Sequence, residues 1–400
     1  MATSSRTMRG SLWQQPLLSL VNNHLVTYPT PSNFNSNYNW GVLAGLCLVL
    51  QILTGVFLAM HYTAHVDLAF DSVQHLMRDV NYGWMLRYLH ANGASLFFIA
   101  VYAHLFRALY YTSYAQPREA VWLLGVVILL IMILTAFIGY VLPWGQMSLW
   151  GATVITSLRS ALPIVGTSIV GWLWGGFAVD NPTLNRFYSF HYLFPFLLAA
   201  LSLAHLAALH QYGSTNPLGI NRSTDLVDFY PYYYVKDLVA ALSLALLATL
   251  LVCFYPEALG HPDNNIPANP YSTPAHIVPE WYFLWVYAIL RSIPNKLRGV
   301  AAILLVFVAL ALLPYLHKPN CRGPAFRSLH ASLAWALIAD FFLLTYLGHQ
   351  PVEPPFVFLG QLATVSFFGL LGAMCMAAWA DEWLRGALKP VNSKKLSFSL

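Results

Sequence analysis

Two stretches decide how this chain is read: Arg87-Tyr-Leu-His90-Ala-Asn-Gly93 running on to Ala103-His104-Leu-Phe-Arg107, and Ser189-Phe-His191-Tyr-Leu-Phe-Pro195 running on to Leu203-Ala-His205-Leu206. Each lies in an apolar run long enough to cross a bilayer, and each carries two histidines 14 residues apart. At about 1.5 Å rise per residue, that spacing is roughly 21 Å along a helix. At roughly 100° per residue, the second histidine returns to within about 40° of the first. Each helix therefore shows one histidine near its top and one near its bottom, on a single stripe. A lone histidine in a span is more often a hydrogen-bonded core residue or a pore liner. Two matched spacings in two spans point to a shared partner.

One span lies between these two, so the histidine helices run in the same direction. His90 then pairs with His191 at one membrane face and His104 with His205 at the other. The crossed pairs would stand roughly 21 Å apart, too far for one group to bridge. Neutral imidazoles on facing helices suit the two axial positions of a haem iron. The expectation is two b-type haems, held by coordination alone and stacked across the membrane.

Composition agrees with a bilayer setting. Of 400 residues, 58% are hydrophobic and 9% charged, against about 25% charged in a soluble domain. The length accommodates about eight spans with short loops and excludes a large soluble domain. The net charge of +5 comes from Lys and Arg gathered in certain loops, a sign of topology and not of nucleic-acid binding. Cys47, Cys253, Cys321 and Cys375 are far apart and form no CxxC, so neither a disulfide framework nor covalent haem attachment is expected. Arg6 and Arg9 near the start precede no apolar run of the secretory kind.

The chain is expected to be an all-α polytopic membrane protein divided into four parts. Residues 1–39 are polar and turn-rich, with a short interfacial helix around Leu17 to Leu25. Residues 40–211 hold four spans forming the haem-binding bundle, with amphipathic surface helices at about 146–185. Residues 212–384 hold four more spans and a loop, 256–295, with seven prolines. Residues 385–400 are a basic tail. The first span carries Gly41 and Gly55, the third Gly125 and Gly139, again 14 apart. Close helix packing is one explanation for such glycines. The shared period with the histidines favours another, a planar macrocycle lying against each bare backbone patch. Thirteen of the twenty Lys and Arg fall on the side of the termini. Both termini are therefore expected on the inner side, with His104 and His205 near it and His90 and His191 near the outer side.

Beyond the histidines, the chain contains Gln51-Ile-Leu-Thr-Gly55, Gly139-Tyr-Val-Leu-Pro-Trp-Gly-Gln-Met147, Trp150-Gly-Ala-Thr-Val-Ile-Thr156, Pro279-Glu-Trp-Tyr282, Ala288-Ile-Leu-Arg-Ser-Ile-Pro-Asn-Lys296 and Gln350-Pro-Val-Glu353. From about residue 15 onward it closely resembles the cytochrome b family, the di-haem quinone-binding subunits of the quinol:cytochrome c oxidoreductase, respiratory complex III. The single joined chain and the 14-residue spacing of the second histidine pair favour the respiratory branch over the chloroplast one. The length resembles mitochondrial members, with a bacterial cytoplasmic membrane as the alternative to the mitochondrial inner membrane. Arg298 departs from the glycine common in relatives.

The resemblance implies an enzyme subunit that oxidises ubiquinol at the outer face, sends electrons across the membrane and reduces ubiquinone at the inner face. It implies a Rieske iron–sulfur protein, a membrane-bound cytochrome c subunit and other complex III subunits as partners, in a homodimeric complex. It makes Glu280 the outer proton acceptor, since an acid in an apolar loop has a raised pKa; on its own Glu280 would be an interfacial carboxylate bonded to backbone. It adds Tyr140, Gly151 and Tyr287 to the outer pocket. It assigns His210 and Asp237 as inner proton donors, with Ser214 and Lys236 beside them. Arg87 and Arg107, each three residues from a histidine ligand, are placed to pair with haem propionates; snorkelling to lipid head groups is the competing explanation. Asp340, in mid-span, is assigned a structural hydrogen bond to a neighbouring helix. A proton-conducting transporter would show inverted repeats and broken helices, and neither is evident. A haem-bearing anchor without quinone chemistry would leave Glu280, His210 and Asp237 unexplained.

Overall fold

Inside a bilayer an apolar run can satisfy its backbone polar groups only as a helix or a closed barrel, and long runs with few charges therefore fold as spans. The computed structural model describes residues 15–220, 225–319 and 322–387. Among them eight helices are long and apolar enough to cross a membrane. In chain order the helices are α1 (Pro16–Val21), α2 (Trp40–Ala59), α3 (Ala69–Asp79), α4 (Gly83–Tyr110), α5 (Glu119–Val141), α6 (Gln146–Ser157), α7 (Gly166–Trp174), α8 (Asn181–Tyr212), α9 (Tyr232–Phe254), α10 (Leu284–Ser292), α11 (Lys296–Leu316), α12 (Ser328–His349) and α13 (Phe356–Ala387). The all-α, eight-span expectation holds. Arg6, Arg9, Arg222, Cys321 and the tail beyond residue 387 lie outside the described residues.

In the amino-terminal half α2 packs along α4 and α5 along α8. In the other half α12 packs against both α10 and α13. The halves are joined by an aromatic knot. The Tyr102 hydroxyl on α4 donates to the Tyr282 carbonyl at 2.6 Å and accepts from Trp285 Nε1 at 3.0 Å. Phe98 stacks on Tyr282 with ring centres 4.1 Å apart. Trp281 Nε1 donates to Ser95 Oγ at 3.0 Å. These contacts anchor the Pro279–Tyr282 segment on the first histidine helix.

A short helix, α3, joins the first two spans, and another, α10, occupies part of the stretch 256–295 that the sequence suggested was loop. In α3, Ala69 and Leu76 face inward while Asp71 and Arg78 complement the helix ends. In α10, Leu284, Trp285, Ala288 and Ile289 are buried, and Arg291 donates to the carbonyls of Leu347 and Gln350, both at 2.7 Å, closing the end of α12. The fourth span begins at Asn181, because an Asp180–Thr183 capping box starts the helix there. The loop 256–280 is sewn to the start of α6: Gln146 Nε2 donates to the Ser272 carbonyl at 3.0 Å, and the Ser148 amide donates to Asn264 Oδ1 at 2.9 Å.

At the opposite end, strand β1 (Pro29–Pro31) pairs antiparallel with β2 (Leu226–Asp228). This ties the amino-terminal segment over the mouth between α8 and α9. A fully buried polar cluster also lies at this end. Arg327 Nε donates to Asp381 Oδ2 at 3.0 Å, its Nη2 lies 2.8 Å from His317 Nε2, and the Tyr114 hydroxyl lies 2.5 Å from His317 Nδ1. His317 and His330 are both fully buried here. Asp340, given a structural role above, is buried on α12 beside Ser366 of α13.

Candidate functional site

The two histidine pairs come together as their spacing requires. The ring centres of His90 and His191 are 6.2 Å apart, and those of His104 and His205 are 6.3 Å apart. A metal–imidazole nitrogen bond is about 2 Å, so an iron midway between two such rings reaches both. The four glycines sit directly against these rings. A Cβ on Gly55 would lie 3.1 Å from His90 Cε1, on Gly41 3.2 Å from His104 Cε1, on Gly125 3.3 Å from His205 Cε1 and on Gly139 2.3 Å from His191 Cε1. The bare backbone of α2 and α5 therefore makes room for the imidazoles of α4 and α8.

Hydrogen bonds at Nδ1 set the outer pair for ligation. His191 Nδ1 is 2.9 Å from the Thr135 carbonyl, which can only accept, so the proton is on Nδ1 and the lone pair on Nε2. His90 Nδ1 is 2.9 Å from Thr54 Oγ1, and that hydroxyl spends its own proton on the Leu50 carbonyl at 2.7 Å. His90 is thus also a donor at Nδ1, with its lone pair on Nε2, as a metal ligand would need. Sequence alone missed Thr54 and Thr135.

The inner pair shows a different state. Arg107 Nη2 lies 2.8 Å from His104 Nδ1, and a guanidinium can only donate. Arg107 also stands over the Tyr38 ring at 5.0 Å, and its Nε is buried without a hydrogen-bond partner. A buried guanidinium nitrogen lacking an acceptor is costly, and a haem carboxylate would supply one while freeing His104 Nδ1. The residues present fit a haem at both levels.

At the outer end one cavity of about 440 Å³ takes in His90, His191, Arg87, Tyr140, Glu280 and Tyr282. Glu280 enters it because the helical turn Trp281–Phe283 starts immediately after it. Burial pushes its carboxyl up to about 7, with Tyr140 and Arg87 pulling it down. The buried Tyr140 hydroxyl faces the Glu280 carboxyl, the group it interacts with in this cavity. Glu257, which accepts from the Tyr88 hydroxyl at 2.8 Å, is a second carboxylate on this cavity that the sequence did not single out. Gly151 and Tyr287 are not among its lining residues. Gly151 has open space on its Cβ side, and the Tyr287 ring lies under the Arg291 guanidinium at 5.2 Å.

At the inner end His210 closes α8 and Asp237 opens α9. The Tyr28 ring stacks on His210 with centres 4.2 Å apart, and His24 Nδ1 lies 2.7 Å from His210 Nδ1. Asp237 Oδ1 accepts from Asn39 Nδ2 at 2.6 Å, and Lys236 Nζ donates to the Phe34 carbonyl. Ser214 is half-buried just past α8. His24 and Tyr28 carry no local signal, since their partner is far along the chain.

A helical membrane protein with two stacked pairs of half-buried histidines on parallel spans is built as a membrane-embedded, haem-carrying electron-transfer protein. Residues 25–213 match the family model described as cytochrome b/b6/petB, and residues 267–368 match cytochrome b (C-terminal)/b6/petD. The chain belongs to the cytochrome b family, as its motifs implied, and with it goes b-type haem and electron transport. It is 67% identical to cytochrome b of Marchantia polymorpha over 360 residues, covering 90% of this chain and 89% of that one. It is 64% identical to cytochrome b of Triticum aestivum, covering 91% of each. Its fold is similar to a solved chain of a hyperthermophilic respiratory complex III, with a TM-score of 0.87, 32% identity and coverage of 92% of this chain and 98% of that one.

Proposed function

We propose that this chain is the di-haem, quinone-reactive subunit of a proton-translocating quinol:cytochrome c oxidoreductase, respiratory complex III. It oxidises ubiquinol at the outer face of the mitochondrial inner membrane and reduces ubiquinone at the matrix face, where both termini lie. Its partners are a Rieske iron–sulfur protein, a membrane-bound cytochrome c subunit and the other subunits of a dimeric complex. The observation that carries the reading is one cavity in which a histidine pair, Arg87, Tyr140 and a carboxyl poised near neutrality meet.

The two haems, at His90/His191 and His104/His205, supply one-electron transfer across the bilayer. The rest is done by side chains. Glu280 accepts a proton from the quinol hydroxyl, and the Tyr140 hydroxyl holds the ring oxygen toward it. Gly151 and Tyr287 shape the surroundings of this pocket. Arg87 and Arg107 bind carboxylates at the two levels. At the matrix face His210 and Asp237 give protons to the two carbonyl oxygens of the quinone, with Ser214 and Lys236 orienting the ring. Gly41, Gly55, Gly125 and Gly139 keep the ligand rings in place.

A redox titration of the purified complex, followed by visible absorption, tests the reading. Two low-spin b-type haems per chain with separate midpoints are expected. A single haem, or none, would overturn the four-ligand arrangement.

A further inference from the structure

His24 plays no part in the chemistry above, yet its ring is joined to that of His210. The two Nδ1 atoms are 2.7 Å apart, a hydrogen-bond distance. The ring planes differ by 3° and the centres are 4.9 Å apart. That separation is what two imidazole radii and the bond between them add up to, so the rings meet edge to edge in one plane, not face on face. Tyr28 lies across the face of His210 at 24° and steadies that plane. Arg118, which donates from Nε to the Gly213 carbonyl at 2.7 Å, pins the end of α8 that carries His210. His24 is exposed, on the helical turn Asn22–Val26, and His210 is half-buried.

An Nδ1···Nδ1 contact holds one proton, since two would collide and none would oppose two lone pairs. When His24 keeps that proton, neutral His210 must carry its own on Nε2, the nitrogen turned away from His24. We infer that His24 is the positioning partner of His210, holding it in the donor tautomer and passing it a replacement proton from the aqueous phase during quinone reduction. The inference rests on the inner end being the quinone-reducing site. In the step, the His210 Nε2–H bond breaks as an O–H bond forms on the quinone oxygen. The Nδ1 proton of His24 crosses to His210 Nδ1, and His24 takes a proton from water at its exposed Nε2. The electrons are those that the oxidoreductase delivers to the quinone. Exchange with water returns the pair to its starting tautomers before the next proton.

The test uses the purified complex with His24→Ala and His24→Gln, with haem spectra recorded alongside. Positioned proton transfer contributes about 10²–10⁴-fold and water replaces part of it, so inner-face quinone reduction is expected to slow about tenfold in both variants. Free imidazole should restore most of the rate to His24→Ala, and the solvent deuterium effect should increase in both. Gln keeps a side-chain amide at this place but cannot pass a proton on, so a wild-type rate in His24→Gln overturns the inference. So does slowing of His24→Ala that imidazole leaves unchanged. If His210→Ala also reduces quinone at the wild-type rate, it is the inner-site reading itself that fails.

Discussion

Glu280 shows how one residue's surroundings set its chemistry. Its carboxyl titrates near 7 because burial disfavours the charge more than Arg87 and Tyr140 favour it. A base must be ionised to accept a proton, so quinol oxidation is expected to climb as pH rises through about 7 and to level off above it. Glu280→Gln should lower the rate by on the order of 10²-fold, abolish that climb and leave both haem bands in place. Initial rates across the transition decide it: a variant with the parent's pH profile removes Glu280 from the step. The glycines give a second residue-scale test. A methyl on Gly139 would land 2.3 Å from His191 Cε1, whereas one on Gly151 meets nothing within 4 Å. Gly139→Ala should therefore displace the ligand ring, at an overpacking cost of about 1–3 kcal/mol, and lose the outer haem from the reduced visible spectrum. Gly151→Ala should keep both haems. At this scale the sequence was legible where a period exposed it. The 14-residue interval revealed His90, His104, His191, His205 and the four glycines. Thr54, Thr135 and His24 have no period, and lie 36, 56 and 186 residues from the histidines they touch.

At the scale of elements, α4 and α8 act as two parallel posts, each bearing one ring per level. The levels share helices but not hydrogen bonds: Thr54 and Thr135 serve the outer rings, Arg107 an inner one. His104→Leu is expected to remove the inner haem and spare the outer. Pyridine haemochrome analysis would then give one haem per chain, against the two expected of the parent. Loss of both in a folded chain would show the levels to be coupled. Spans were readable because length and apolarity suffice to define them. The helices α3 and α10 were not, because each is short and owes its helix to packing against parts of the chain remote in sequence. The same holds for α10's hold on α12 through Arg291, which no local pattern announces.

At the scale of the molecule, the orientation proposed above has the loop 256–280 on the outer side. Tyr271 stands fully in the open on that loop. A protease cleavage site inserted there should be cut in mitochondria whose outer membrane has been opened, and protected when only the matrix side is accessible; the reverse would invert the proposed orientation. The buried cluster at the other end bears on how such a chain is made. Arg327 is completely enclosed, and its carboxylate partner Asp381 follows 54 residues later, near the end of α13. Leaving one member of a buried pair alone costs about 3–5 kcal/mol. While the ribosome is still translating that interval, a cation destined for the interior has no counter-ion. The end of the molecule that holds this pair can lock only once α13 has been made as far as Asp381, so a nascent chain that stops short of it carries a buried charge with no counter-ion.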